Sequence, residues 1–149
     1  MTFRPLLRIE TRRWGSVEVY LENTKADSRF YQDLLQHLAS DYGIHPISKA
    51  YLYLHRIEVT EEPITVKIVK VKPRSALSLA MHEHMEETWL CLKGVAVVVT
   101  GPIKEELHGG SYAVIHPGTK HRLSSIEGCE ILEVTYGEFT EKDIIKFED

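Results

Sequence analysis

The stretch Leu77-Ser78-Leu79-Ala80-Met81-His82-Glu83-His84-Met85-Glu86-Glu87-Thr88-Trp89 decides how this chain is read. His82 and His84 stand at i and i+2 near the end of an expected strand, a spacing that sends both imidazoles off one face. Glu87 follows three residues later and can supply an oxygen if the strand turns at Met85-Glu86. Two imidazoles and a carboxylate, with no thiolate, suit Zn, Mn, Fe, Co or Ni. The His-x-His pair is weak alone: eight histidines in 149 residues give roughly 0.4 such pairs by chance. Its surroundings supply the specificity.

Gly94 closes the hairpin after Trp89-Leu90-Cys91-Leu92. Farther on, the run from Gly110 to His121 gives a strand, a tight turn at Pro117-Gly118 and a fourth candidate ligand, His121. Strands are expected over 64–72, 77–84, 88–92, 95–100, 111–116, 121–126 and 130–136. Breaks fall at Pro73-Arg74-Ser75, Gly94, Gly101-Pro102, Gly109-Gly110, Pro117-Gly118 and Gly128. So many short strands with regular turns predict an antiparallel sandwich or small barrel. Upstream, Val17, Val19 and Leu21 alternate with Ser16, Glu18 and Tyr20 as a strand over 16–22.

Between about 24 and 63 the character changes. Asp27-Ser28 offers an N-cap, and Phe30, Tyr31, Leu34, Leu35 and Leu38 recur at helical spacing. A helix is predicted from 28 to about 40, outside the barrel, stopped by Tyr42-Gly43 and followed by a turn at Ile44-His45-Pro46. Aromatic and β-branched residues over 51–60 read as another strand.

Composition bounds the rest. At 43% hydrophobic and 27% charged, the chain is neither disordered nor collagen-like and can bury a core as one domain, 1–149. Eighteen basic against 22 acidic residues, a net charge of −4, argue against a general nucleic-acid binder. No apolar run reaches the ~18 residues of a membrane span, and the first residues do not read as a signal peptide. Cys91 and Cys129 form no CxxC pair, and Cys91 is expected to be a small buried hydrophobe. A cytoplasmic protein without membrane partners is the expectation.

The combined pattern, HxHxxE-x6-G followed by G-x7-G-x2-H, resembles the two cupin motifs. Within the cupins, the stretch 77–89 resembles the "LSLQxHxHRxEHW" signature of type II mannose-6-phosphate isomerases, the C-terminal part of bifunctional mannose-1-phosphate guanylyltransferases. Arg13-Trp14-Gly15-Ser16-Val17-Glu18 is similar to that family's "RPWGSYE", Lys120-His121-Arg122-Leu123 to its "KHRL", and the tail from Gly137-Glu138 to Asp149 to its "GEYxxEDDIxRFED". Ala80, Met85 and Thr88 replace the family's glutamine, arginine and histidine, and His116 occupies the usual proline position of the second motif.

The resemblance implies an all-β fold, a single cupin jelly-roll barrel with a short helical insertion at about 24–63. It implies one divalent metal ion held by His82, His84, Glu87 and His121. The expected activity is aldose–ketose isomerisation of mannose 6-phosphate and fructose 6-phosphate. His116 and Lys120 are the candidate proton carriers, and Lys67, Arg74, Lys120 and Arg122 the candidate phosphate ligands, with Lys120 and Arg122 foremost. Lys67, Lys70 and Lys72 alternate faces and read as a solvated strand. Two alternatives stand beside this: a cupin that holds a metal and a sugar phosphate or nucleotide sugar without turnover, and a non-haem iron dioxygenase. Cupins commonly pair through barrel faces, so a homodimer is expected.

Overall fold

A computed structural model describes residues 3–45, 51–138 and 140–148. In chain order the strands are β1 (Leu7–Thr11), β2 (Gly15–Thr24), β3 (Ile64–Val71), β4 (Ser75–Ala76), β5 (Leu79–His82), β6 (Glu86–Gly94), β7 (Ala96–Thr100), β8 (Ile103–Leu107), β9 (Tyr112–Ile115), β10 (His121–Ser125), β11 (Cys129–Tyr136) and β12 (Ile144–Glu148). Two antiparallel sheets result. One has the order β1-β2-β3-β11-β6-β9, the other β12-β5-β10-β7-β8 with β4 paired to β10. They face each other as a jelly-roll barrel, as expected from the turn-punctuated strands.

Alternation along the first sheet sorts its side chains into two layers. Val69 and Val71 of β3, Trp89 and Cys91 of β6, and Ile131 of β11 point inward, packing with Val98 of β7 and Leu123 of β10. Cys91 is fully buried there, as its apolar strand suggests. On the outer face, Ile64, Val66 and Ile68, Leu90 and Leu92, and Leu132, Val134 and Tyr136 form a second core with the helices. Burial on both faces explains why β3 carries so many aliphatic side chains, where a half-solvated strand would alternate with polar ones.

Helix α1 (Ser28–Tyr42) begins at the predicted cap: the Asp27 side chain accepts a hydrogen bond from the Phe30 amide at 2.7 Å. Its end comes at Gly43, whose φ of 68° lets the Gly43 and Ile44 amides reach the carbonyls of Ala39 and Leu38. Tyr31, Leu34 and Leu38 are buried against the sheet. The chain's own barrel wall therefore covers the helix. The turn expected at Ile44-His45-Pro46 passes outside the described residues at Pro46.

The strand expected over 51–60 is a helix, α2 (Tyr51–Val59). Its buried residues, Tyr53, Leu54 and Ile57, lie on one helical face rather than on alternate positions. Packing on the sheet overrides the β propensity of the tyrosines. The Tyr53 hydroxyl donates to the carbonyl oxygens of Thr88 (3.2 Å) and Leu132 (3.1 Å), tying α2 to β6 and β11. Arg56 donates twice to Glu86, at 2.7 and 3.2 Å, with its guanidinium 3.8 Å from the Tyr136 ring centre.

Three edge elements escape the sequence reading: β1, β8 and β12. Both β1 and β8 are exposed at all but one residue; the short alternation of Leu7 and Ile9 with Arg8 and Glu10 in β1 buries no core face.

Candidate metal centre

His82 closes β5, Glu87 lies near the start of β6, and His121 opens β10. The barrel brings these three strand ends together. Glu87 Oε2 is 2.8 Å from His82 Nδ1 and 3.3 Å from His121 Nε2. All three residues are buried, at 8%, 2% and 5% exposure. The two imidazoles stack with centroids 5.2 Å apart, and Trp89 meets His121 edge-on at 5.5 Å. His121 Nδ1 lies 3.0 Å from the Thr119 carbonyl oxygen. That contact orients the ring so that Nε2 faces Glu87. One ligand atom from each residue falls within 4.8 Å of the others. Two imidazoles and a carboxylate converging in a buried site fit a divalent ion.

Electrostatics favour the same reading. Burial alone would raise the Glu87 pKa, but hydrogen bonds with His121, His82 and Glu133 outweigh it and hold the carboxyl well below the usual carboxylate range. Burial opposes a charge on His121, yet the Glu87 hydrogen bond and charge, with the Thr119 carbonyl, raise its pKa above the ordinary 6.5. Glu87 is thus ionised, and His121 holds its proton until the pH passes that raised value. A metal must displace this proton, so affinity should climb as pH rises through the His121 titration and then level off. Zinc titrations at pH 6 and pH 8 check this; equal affinity at both would contradict it.

His84 does not join the three. β5 ends at His82, and the chain bends at residues 83 and 84, so the face-sharing expected from the His-x-His spacing is lost. Both oxygens of Asp143 accept from the His84 amide at 3.1 Å, fixing the bend. The His84 imidazole is 82% exposed, 3.8 Å from Glu83 and 4.0 Å from Asp143. A role for Asp143 was not read from the sequence.

The remaining candidates also lie away from the three residues. His116 lies just past the end of β9 and is exposed, close enough to the Glu86 carboxylate for the two to interact electrostatically. Lys120 is exposed, its Nζ 4.2 Å above the Phe147 ring. Arg122 alternates with inward His121 and Leu123, and so faces out of the second sheet. Arg74 sits in the turn after β3, its amide bonded to the Ile126 carbonyl beside Gly128. That is the opposite end of β3 from the level of Glu87, which pairs through Thr135 with Thr65.

Met85, at the family's arginine position, is 3% exposed. A guanidinium there would have to be buried or force the turn open. Met85→Arg should therefore cost about 2 kcal/mol of stability without strengthening sugar-phosphate binding. Thermal melts and binding titrations check both halves; tighter binding at unchanged stability would contradict them.

Two further residues face inward: Glu133, which the sequence reading does not single out, and Lys67, one of its phosphate candidates. Glu133 of β11 hydrogen-bonds Glu87, and burial together with the Glu87 charge raises its carboxyl pKa well above the normal range, only partly offset by Lys67. The pair therefore shares a proton, with Glu133 as the protonated partner. Lys67 of β3 stands opposite Glu133 on the inward face; it is not the solvated lysine expected from its alternating series. In sequence, Glu133 is one acid in an aliphatic strand and Lys67 one lysine among three, so only the face assignment distinguishes them.

A likeness in fold defines the class first. A solved Klebsiella pneumoniae protein with a double-stranded β-helix domain superposes with a TM-score of 0.51 at 22% identity, covering 60% of this chain and 78% of that one. The barrel thus has the double-stranded β-helix fold. Residues 44–149 match the family model described as mannose-6-phosphate isomerase C-terminal, and the chain belongs to that family. The xanthan biosynthesis protein XanB of Xanthomonas campestris is 38% identical over 87 residues, 56% of this chain and 19% of that protein. The mannose-1-phosphate guanylyltransferase ManC of Salmonella typhimurium is 29% identical over 138 residues, 89% of this chain and 26% of that protein. The chain thus spans about a fifth to a quarter of the curated relatives it matches. No helix among the described residues is long and apolar enough to cross a membrane.

Proposed function

We propose that this chain is a metal-dependent aldose–ketose isomerase acting on a sugar phosphate, with mannose 6-phosphate and fructose 6-phosphate as the pair to test. The observation that carries the reading is the buried convergence of His82, Glu87 and His121 inside a barrel of this family. A divalent ion bound there supplies Lewis acidity, stabilising the negative charge that shifts between substrate oxygens at C1 and C2. His82 and His121 present neutral ring nitrogens to it, and Glu87 supplies charge.

The chain's own residues shape the rest of the reaction. The stacked imidazoles and the Trp89 ring wall one side of the site, and electrostatic contacts strengthen where such a wall keeps water out. Glu133 keeps a proton inside the barrel, hydrogen-bonded to Glu87. His116 and Lys120 are exposed and lie outside the strands, so the proton carriers expected from the sequence are not retained in the proposal.

A binding module without turnover has one specific observation in its favour. Of the phosphate candidates Lys67, Arg74, Lys120 and Arg122, Lys67 alone faces the interior, beside Glu133, so the expected phosphate grip is incomplete there. Metal-reconstituted protein assayed with mannose 6-phosphate and fructose 6-phosphate separates the readings. Product in either direction supports the isomerase; saturable binding without product under Zn, Mn, Co and Fe supports the module.

A further inference from the structure

The inward face of the first sheet carries a row of polar groups beside the three candidate ligands. In register across β3, β11 and β6, Thr65 stands beside Thr135, which stands beside Glu87; two residues along, Lys67 stands beside Glu133, which stands beside Trp89. These rows share the face of Val69, Ile131 and Cys91, so they look into the barrel. Neighbouring rows are roughly 7 Å apart, a spacing that one ligand can bridge.

Two groups on this wall are buried without a hydrogen-bond partner among the described residues: Trp89 Nε1 and Thr135 Oγ1. Trp89 is 4% exposed and Thr135 1%. Buried polar groups are seldom left unsatisfied, so a polar ligand that meets them gives the fold a reason to keep them. Beside them, Lys67 and Glu133 keep intermediate exposure. An indole N–H donates, a hydroxyl does either, and an ammonium donates three times. Together they match a ligand rich in oxygen acceptors, and an apolar ligand would strand all of them. One ammonium beside two glutamates is a poor seat for a phosphate dianion but a good one for hydroxyl and carbonyl oxygens.

We propose that Lys67, Trp89 and Thr135 form the wall that binds the hydroxyl and carbonyl oxygens of a polyhydroxylated substrate, with Lys67 donating to the oxygen that carries negative charge. This rests on the isomerase or sugar-binding reading above and adds the residues that recognise the carbon chain rather than its phosphate. Lys67 also stands opposite Glu133 across the strands, and its charge acts on the Glu133 carboxyl.

The test is calorimetric titration of mannose 6-phosphate into manganese-loaded wild type, Lys67→Met, Lys67→Arg and Thr135→Val, with metal content and melting temperature measured on each. Lys67→Met should weaken binding about tenfold or more, as expected for loss of a charge-assisted hydrogen bond, at unchanged metal content. Lys67→Arg should recover most of that loss, and Thr135→Val should weaken binding about threefold. A lysine needed only to hold the fold would lower the melting temperature and leave the affinity of the folded protein unchanged. Wild-type affinity in Lys67→Met overturns the assignment alone. A wild type that binds no sugar phosphate overturns it together with the functional reading.

Discussion

Glu87→Gln should strip the protein of its metal. Glu87 is the shared partner of His82 and His121, 2.8 and 3.3 Å away, and it supplies the only negative charge of the three. Glutamine keeps the volume but removes that charge, leaving two neutral imidazoles. Affinity should fall by at least ~100-fold, beyond the range seen when an outer-shell partner is lost. A His82→Ala/His121→Ala double variant should be metal-free. Elemental analysis reads both, and metal content equal to wild type would remove the site from consideration. His84→Ala is the discriminating companion. With its imidazole 82% exposed, the protein as folded predicts that most of the metal stays bound. Near-complete loss would show instead that the bend at 83 and 84 reorganises around the ion.

The second large effect concerns the helices. Leu34 of α1 and Leu54 of α2 are fully buried in the core that covers the outer face of the first sheet. Truncating either to alanine should cost about 2–5 kcal/mol, read as a shifted denaturation midpoint. Metal stoichiometry in the folded variants should be unchanged, because the leucines lie on the opposite face of the sheet from Glu87. That face also explains why the helices matter. They bury Ile64, Val66, Leu132 and Val134, clamping the strands whose alternate residues are Lys67, Glu133 and Thr135. A variant that kept its stability but lost its metal would contradict this division between support and site.

Several parts of this arrangement were legible before any coordinates. The α1 cap, its leucine stripe and Gly43 are local signals with local causes. Turn residues announced most of the barrel, and the spacing of His82, Glu87 and His121 named the buried cluster. The rest depended on context that sequence spacing does not carry. α2 looked like a strand because its tyrosines favour sheets, while its burial follows a helical face set by the sheet beneath. His84 looked like a ligand because a strand was assumed to continue past His82; Asp143, 59 residues away, bends the chain there. Glu133 looked like ordinary strand polarity, and Lys67 stood among the phosphate candidates with no face assigned to it. Their inward orientation follows only when both faces of the sheet are known to be buried, one by the barrel and one by the helices.

The central claim is that this barrel catalyses proton transfer between C1 and C2 of a sugar phosphate. Its most direct test is NMR of mannose 6-phosphate incubated with metal-replete protein in deuterated water, run separately with Zn, Mn, Co and Fe. Paramagnetic ions are removed before the spectra are recorded. The account predicts loss of the C2 proton signal and appearance of fructose 6-phosphate with at least one of these metals, and neither change with Glu87→Gln. An unchanged C2 proton under all four metals, in protein shown to be loaded, would contradict it.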